Sequence, residues 1–354
     1  MVPVVDFWFT TPALKQPVTR DLYWTLIDRL TQLLLSPGSS LSLWSLLGAL
    51  IIAAASGVVK RKGRAVSLRA LLRALFPRRW LLGASAQADL GFTLLAVFAS
   101  TALFGWAVLS HVGIAAAVAG VLGQPLVLDL PTWLAVAAMT FALWLAYEFA
   151  YWLDHMLSHK IPALWAFHKV HHSAETLSPL TVFRVHPVDS IVFYNIVAAV
   201  TGVTAGVMHW LVGAGVSPLT VAGTNVLLIA SIFTIKHLHH SHVWVSWRGN
   251  WGRLILSPAH HQIHHSVARE HHDRNFGETL AVFDWLAGTL HQPQAKREPL
   301  TFGVEDMNGP HSARGSLVMP FADAFSPLWR RTAADAASIP VAPASMPDIR
   351  RALH

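Results

Sequence analysis

The chain has 354 residues, of which 53% are hydrophobic and only 13% carry a formal charge, and it contains no cysteine. This composition is more apolar and less charged than that of ordinary soluble domains, so it predicts a membrane protein. The lack of cysteine excludes thiolate metal sites, iron–sulfur clusters and disulfides. The net charge of +7 does not indicate a nucleic-acid partner, because the basic residues concentrate beside apolar segments.

The distribution of apolar and polar residues divides the chain into four predicted regions. These are an N-terminal interfacial segment (1–40), an N-terminal transmembrane region (41–129) with a basic cytoplasmic loop (60–80), a histidine-rich region (130–299) and a polar C-terminal tail (300–354). The start of the chain lacks the basic and apolar pattern of a secretory signal. We therefore expect the first long apolar run to direct membrane insertion.

Apolar runs long enough to approach the thickness of a bilayer lie at 41–59, 90–122, 131–153, 188–212 and 219–235. The run from Leu90 to Leu122 is too long for one untilted span, so it forms either one tilted helix or a hairpin. A single crossing is favoured, because Lys160, Lys169 and Arg184 then lie on the positively charged cytoplasmic side. The predicted fold is an all-α membrane protein with about four to five transmembrane helices and a cytoplasmic, histidine-rich helical cap.

Eighteen of the 21 histidines fall between His155 and His291, and eight of them form three short motifs. The motif residues are His155 and His159, then His168, His171 and His172, and then His261, His264 and His265. On a helix, residues three and four positions apart share a face, so each motif directs several imidazoles into one small volume. Eight imidazoles exceed the roughly six positions around one ion, so the pattern predicts two metal ions. Nitrogen donors suit iron, zinc, copper or nickel, and the spacing does not choose among them.

The ordered segments HMLSH, HKVHH, HHSHV, SPAHHQIHHS, DRNFG and FDWLAGT resemble the fatty acid hydroxylase and sterol desaturase superfamily of integral-membrane di-iron oxygenases. The resemblance covers about 130–299. Only the eight residues 160–167 separate the first two motifs, a gap similar to that of this superfamily and shorter than that of membrane acyl-CoA desaturases.

The resemblance implies a ligand set for two iron ions. The eight motif histidines correspond to family ligands, and His240 corresponds to a ninth. Four further residues are placed beside the ligands or along the substrate path: His186, His237, His242 and Asn275. His237 and His239 remain alternatives to His240 if the helix phase differs, and His242 replaces an Asn that is usual in the family.

The resemblance also implies an activity, in which two irons activate O2 to hydroxylate, or desaturate, an unactivated C–H bond of a lipid. The chain shows no flavin or nicotinamide fingerprint, so an external donor supplies the electrons, either a ferredoxin, a cytochrome with its reductase, or a reduced pterin. The expected location is a bacterial inner membrane, with the active site facing the cytoplasm. The lipid itself is left open.

Two other functions fit the same histidines, namely a metal transporter or sensor and a zinc-dependent membrane hydrolase. A transporter would place its ligands near the middle of the membrane spans. The remaining histidines are interpreted more simply: His111, His209, His311 and His354 as structural, and His260, His271 and His272 as surface residues or neighbours of the ligands. Asp154 and Asp189 either orient imidazoles or serve as helix caps and solvated side chains.

Overall fold

The computed structural model describes residues 22–39, 41–60, 82–104 and 109–325, together with positions 69 and 77. Most of the predicted basic loop and the end of the predicted polar tail lie outside the described residues, as does most of the N-terminal segment. Within the described part of the chain the fold is mostly helical, with one two-stranded sheet. The prediction of a helical protein is therefore confirmed.

The helices and strands follow one another in this order: α1 Leu22–Leu35, α2 Leu43–Lys60, α3 Ala84–Phe104, α4 His111–Leu122, α5 Thr132–Lys160, α6 Pro162–His172, α7 Pro187–Val212, β1 Thr220–Val221, β2 Thr224–Asn225, α8 Val226–His239, α9 Gly249–Leu254, α10 Pro258–His264, α11 Val282–Ala287 and α12 Met319–Phe325. Short 3₁₀ turns lie at Pro179–Phe183 and Arg269–His271. Helix α8 contains a π-helical segment, Ile232–Lys236, and a second π-helical segment, Arg314–Val318, precedes α12.

Two long helices, α5 and α7, pack against each other in antiparallel orientation. Tyr151 of α5 contacts Phe193 near the start of α7. Met139, also in α5, lies in one hydrophobic cluster with Val212 at the end of α7. The C-terminal end of α5 and the N-terminal end of α7 therefore lie at the same end of the molecule. The histidine motifs begin there.

The junction between α5 and α6 has a local cause. Proline disfavours the α conformation in the residue before it, and Ile161, which precedes Pro162, is extended (φ −100°, ψ 111°). Helix α5 therefore stops at Lys160, and Pro162 starts α6 at a position where its missing N–H is tolerated. This sharp turn brings the first histidine motif against the second.

Among the described residues, two helices are long and apolar enough to cross a membrane by length and composition, namely α5 and α7. Helix α5 has 29 residues and rises about 43 Å, so it exceeds a hydrocarbon core of about 30 Å. Three shorter apolar helices are α2, α4 and α8. The larger number of spans inferred from the sequence stays a prediction.

The structure differs from two of the predicted spans. The run at 219–235 begins with the hairpin β1–β2, so the helix starts only at Val226, and its 14 residues rise about 21 Å, which is too short for a full crossing. The run at 90–122 is divided between α3 and α4, and residues 105–108 lie outside the described ranges. Helix α4 runs parallel to α7, because Ile114 packs at Gly202 and Val118 packs at Gly206.

Candidate metal centre

Nine buried or nearly buried histidines form two groups at the end of the α5–α7 pair. Cluster A contains His155, His159, His168, His172 and His264, and cluster B contains His171, His240, His261 and His265. Within each cluster, one ligand atom from every residue lies within 4.8 Å of the others. The nine members are the same nine residues that the sequence singled out as ligands.

The sequence motifs do not coincide with the clusters. Helix α6 gives His168 and His172, which are one turn apart, to cluster A and turns His171 towards cluster B. Helix α10 does the reverse, since His264 belongs to cluster A, whereas His261 and the adjoining His265 belong to cluster B. Each of these two helices therefore contributes to both clusters.

The imidazole nitrogens are too crowded to be explained by hydrogen bonds among themselves. The Nε2 atom of His240 lies 3.1 Å from that of His171, 3.2 Å from that of His265 and 3.0 Å from that of His261. A neutral imidazole nitrogen has either one proton to donate or one lone pair to accept, so it can satisfy only one such neighbour. One cation can satisfy all of these lone pairs, and nitrogens at right angles around a metal at about 2.1 Å lie about 3 Å apart.

Three imidazoles of cluster A have their proton fixed on Nδ1. The Nδ1–H groups of His155 and His264 donate to the carbonyl oxygens of Phe276 and Arg274, each at 2.7 Å. That of His168 faces the carboxylate of Asp189 at 3.1 Å. Because carbonyl and carboxylate oxygens only accept, each Nε2 carries a lone pair directed into the cluster. The Nε2 atoms of His155 and His168 are buried and have no hydrogen-bond partner among the described residues.

Cluster B has fewer such supports. His171 Nδ1 donates to the Arg184 carbonyl oxygen at 3.2 Å. The Nδ1 atoms of His261 and His265 are buried and find no hydrogen-bond partner within the described part of the chain. The ring of His239 stacks on His261 at a centroid distance of 5.0 Å without joining the cluster.

Burial keeps the clustered imidazoles neutral. Desolvation is the largest cause, and neighbouring imidazoles the next, of the strong lowering of the pKa values of His171, His172, His240, His261 and His265 below 6.5. Burial also lowers the pKa of His264 to about 3. Neutral imidazole is the form that binds a metal, so the folded chain presents these nitrogens ready for coordination near pH 7.

Residues 273–277, the DRNFG segment, support cluster A, and this segment is called the brace below. The carbonyl oxygens of Arg274 and Phe276 hold His264 and His155, and Asn275 between them adopts a left-handed conformation (φ 58°) that Asn tolerates. The Asn275 amide donates to the carbonyl oxygens of His260 and His291 at 3.0 and 2.9 Å. Asn275 therefore supports the ligands through its two neighbours in the chain.

Asp284, in the FDWLAGT segment, fixes the same brace from the other side. Its carboxylate accepts hydrogen bonds from the backbone N–H groups of Phe276 and Gly277 at 2.9 and 2.8 Å and from the Thr289 hydroxyl at 2.6 Å. A Cβ atom at Gly277 would overlap the Leu280 carbonyl oxygen, so the close approach requires glycine. In the sequence, FDWLAGT is one of the segments that carry the family resemblance, but the sequence did not indicate what the segment contacts.

The two aspartates considered from the sequence have different surroundings. Asp189 orients His168, as described above. Asp154 is completely buried, and neither of its carboxyl oxygens has a hydrogen-bond partner among the described residues. Of the two, only Asp189 contacts an imidazole of the clusters.

The remaining predicted site residues lie outside both clusters. His186 caps α7 by accepting from the Val188 backbone N–H at 3.1 Å, and its ring packs against Phe167. His237 contacts the Ser45 hydroxyl of α2 at 2.9 Å. His242, which follows the end of α8, is half-buried. Of the alternatives His237, His239 and His240, only His240 joins a cluster.

Aromatic side chains cover cluster A. Trp165 lies 5.0 Å from His159 and 5.4 Å from His172 between ring centroids, and Phe276 lies 5.2 Å from His159. On the side of α5, Tyr151 meets His155 edge to face at 5.7 Å. These rings exclude water from the nitrogens of cluster A.

Comparison with known proteins agrees with this geometry. The sequence model of the fatty acid hydroxylase family matches residues 140–289, which include all nine clustered histidines. Residues 140–289 form a fatty acid hydroxylase domain. The superfamily inferred from the order of the histidine motifs is therefore confirmed.

Curated relatives of the fatty acid hydroxylase domain include lipid-modifying enzymes. The ornithine lipid hydroxylase of Rhizobium tropici is 31% identical over 147 residues, covering 41% of this chain and 40% of the relative. The alkylglycerol monooxygenase of Homo sapiens is 25% identical over 175 residues, covering 46% of this chain and 32% of the relative, and that of Danio rerio is 26% identical over 159 residues, covering 42% and 30%. The matches thus span 30% to 40% of the length of these relatives. No solved structure matches the chain significantly.

Proposed function

We propose that this protein is a membrane-bound, O2-dependent hydroxylase that acts on a lipid and holds two iron ions, one in each cluster. The observation that carries the proposal is the convergence of nine imidazoles into two adjacent, nitrogen-only groups within a fatty acid hydroxylase domain. Nitrogen donors without carboxylates disfavour magnesium and calcium and suit iron, zinc or copper. The choice of iron rests on the family.

The chain's own residues would prepare the chemistry. Bound iron would supply the activation of O2 that is needed to oxidise an unactivated C–H bond. Arg274, Phe276 and Asp189 orient three imidazoles of cluster A, and the aromatic cover keeps water away from them. The backbone carbonyl oxygens therefore fix the orientation of two imidazole ligands whose rings would otherwise be free to rotate.

The substrate is proposed to approach from the side of cluster B. Pro179, Val182, Lys236, His237 and His240 line a narrow pocket that encloses almost no free volume. Small-molecule sites usually measure roughly 300–1,000 Å³, so these side chains must move apart to admit a lipid chain. This pocket borders cluster B through His240, whereas cluster A lies beneath its aromatic cover.

The position of the ligands relative to the long helices favours an enzyme over a transporter. His155 and His159 lie in the last turns of α5, and Asp189, which orients His168, lies in the first turn of α7. A transporter would hold its ion near the middle of such helices. We propose a bacterial inner membrane as the location, with the clusters on the cytoplasmic side and electrons supplied by a ferredoxin, a cytochrome with its reductase, or a reduced pterin.

The names of the relatives suggest which lipids to test. Ornithine lipids and alkylglycerols are proposed as the first two substrate classes, since the relatives are a hydroxylase of the former and a monooxygenase of the latter. The experiment compares lipid extracts from cells that express the intact chain or His261→Ala during growth under ¹⁸O₂. We expect a lipid that gains one labelled oxygen only with the intact chain.

The same experiment separates the alternatives. A lipid that loses two hydrogens without gaining the label would indicate desaturation. A product that forms equally under strict anaerobiosis would indicate a hydrolase and contradict the proposal. Purified protein that contains zinc alone and gives no oxygen-dependent product from any lipid pool would also contradict it.

A further inference from the structure

A third group of metal-binding side chains lies outside clusters A and B. It consists of His271, which ends the 3₁₀ turn Arg269–His271, and of His291 and Glu298, which follow α11. One ligand atom from each of the three residues lies within 4.8 Å of the others. The rings of His271 and His291 meet edge to face at a centroid distance of 5.0 Å and an angle of 79°. None of these residues belongs to the other two groups.

The contacts within this group leave its polar atoms only partly satisfied. His271 is 6% exposed, and its Nδ1 atom is buried without a hydrogen-bond partner among the described residues. Its Nε2 atom lies 4.0 Å from Glu298 Oε2, which is too long for a hydrogen bond. The other oxygen of Glu298 accepts from the Gln294 backbone N–H at 2.7 Å, which holds the carboxylate beside the two rings.

The protonation state also suits a metal. Burial is the largest cause of a lowered pKa at His271, and the neighbouring His291 lowers that pKa further. Glu270 and Glu298 oppose this shift, so acidic groups face the site on both the turn and the following segment. A neutral imidazole beside carboxylates attracts a divalent cation without having to lose a proton first.

We propose that His271, His291 and Glu298 bind a third divalent metal ion, separate from the two clusters, with zinc as the best match. Two imidazoles and one carboxylate are a common zinc-binding set, and they leave a fourth position for water. Tetrahedral coordination at about 2.1 Å requires ligand atoms about 3.4 Å apart, so the three side chains must close slightly around the ion. His291 and Glu298 are only half-buried, which gives them room to do so.

This ion would stabilise the brace of cluster A. The His291 backbone N–H donates to Asn275 Oδ1 at 2.7 Å, and the Asn275 amide donates back to the His291 carbonyl oxygen at 2.9 Å. The neighbours of Asn275 hold His264 and His155 through their carbonyl oxygens. A metal bound by both His291 and His271 would restrain the backbone at His291. Because Asn275 is hydrogen-bonded to that backbone, the metal would also restrain Asn275.

The test counts zinc. Purified full-length protein, equilibrated with zinc alone and freed of excess metal, is compared with His291→Ala and Glu298→Gln by elemental analysis. His291→Ala keeps the backbone atoms that bond to Asn275, and Glu298→Gln keeps an acceptor for Gln294. The matched control is His272→Ala, which removes an exposed neighbouring histidine outside the group.

The wild-type protein and His272→Ala should hold the same amount of zinc, and each of the two site variants should hold one ion fewer. Cobalt alone provides a second measurement, because its visible absorption should decrease in Glu298→Gln relative to the wild type. Equal metal content in the wild type and Glu298→Gln would overturn the proposal. So would the loss of more than one ion in that variant, since the site would then not be separate. The difference between variants is informative whatever the two clusters bind.

Discussion

Clusters A and B are built from the same residue type, yet their supports differ. In cluster A, three of five imidazoles have Nδ1 held by an acceptor, two by carbonyl oxygens of one loop and one by Asp189. In cluster B, His171 has such a bond, whereas the Nδ1 atoms of His261 and His265 have no partner among the described residues. Cluster A lies under aromatic rings, and cluster B borders a small pocket.

This difference indicates a division of roles between the two metals. Hydrogen bonds to the second ring nitrogen fix the tautomer and orientation of a ligand, and their loss usually costs about 10–100-fold in metal affinity. We therefore expect cluster A to hold its ion more firmly. Cluster B, with more freedom at its rings and a pocket beside His240, is the better candidate for contact with substrate.

The largest expected effect comes from removing the central ligand of cluster B. His240→Ala deletes the nitrogen that lies within 3.2 Å of three others. Oxygenase activity should fall by about 100-fold or more, because one metal loses a ligand on the substrate side. Product formation is measured beside His209→Ala, whose ring belongs to neither cluster. Equal activity in the two variants would contradict the assignment of His240.

A smaller effect, confined to cluster A, should follow from Asp189→Asn. Asn still faces His168 but loses the negative charge that fixes the imidazole proton, so metal affinity at cluster A should fall by about 10–100-fold. Metal titration of the purified protein should show one weakened and one unchanged site. The control is Asp129→Asn, which changes an exposed carboxylate between α4 and α5. Equal weakening of both sites would show that the clusters are not independently supported.

The brace itself can be tested by adding one methyl group. Gly277→Ala places a Cβ against the Leu280 carbonyl oxygen and Leu256, so the unfolding free energy should fall by about 1–3 kcal/mol, which is about 5- to 150-fold in the unfolding equilibrium. The comparison is Gly91→Ala in α3, where an added Cβ meets nothing within 4 Å. Denaturant unfolding of both variants measures this difference in unfolding free energy. A Gly277→Ala protein as stable as Gly91→Ala would show that the loop adapts freely.

The smallest expected effect concerns the order of metal release. Treatment with a chelator should remove metal in two phases, with the ion of cluster B leaving several-fold faster because its rings are less constrained. Asp189→Asn should bring the two phases closer together by accelerating only the slower one. Metal release in a single phase from the wild-type protein would remove the distinction between the clusters.

The sequence predicted which histidines lie together better than it predicted their arrangement. Helical spacing picked out eight of the nine grouped histidines, because residues three and four apart share a face, and the resemblance added His240. The spacing could not show that His171 leaves its own motif to join His261, since this depends on how α6 and α10 cross. Nor could it show that Arg274 and Phe276 act through backbone carbonyls, which no side-chain pattern records.

The predicted span at 219–235 differs from the structure because hydropathy hides a turn. Ala222 and Gly223 both have positive φ values of 51° and 83°, which form the tight hairpin between β1 and β2 inside an otherwise apolar run. Mean hydropathy does not depend on backbone angles, so hydropathy alone predicts one helix over 219–235. By contrast, the starts of α6 and α7 have a local signal in the sequence, because Pro162 and Pro187 occupy the first helical position, where proline is tolerated.

The most direct measurement is the iron content of the purified protein after anaerobic loading with ferrous iron and a chelator wash. It is made in a Glu298→Gln background, so that the proposed third site does not contribute. We expect two irons per chain, and about one when either His264 of cluster A or His240 of cluster B is replaced by Ala. A single iron in the parent protein, unchanged by one of these two substitutions, would contradict the assignment of one ion to each cluster.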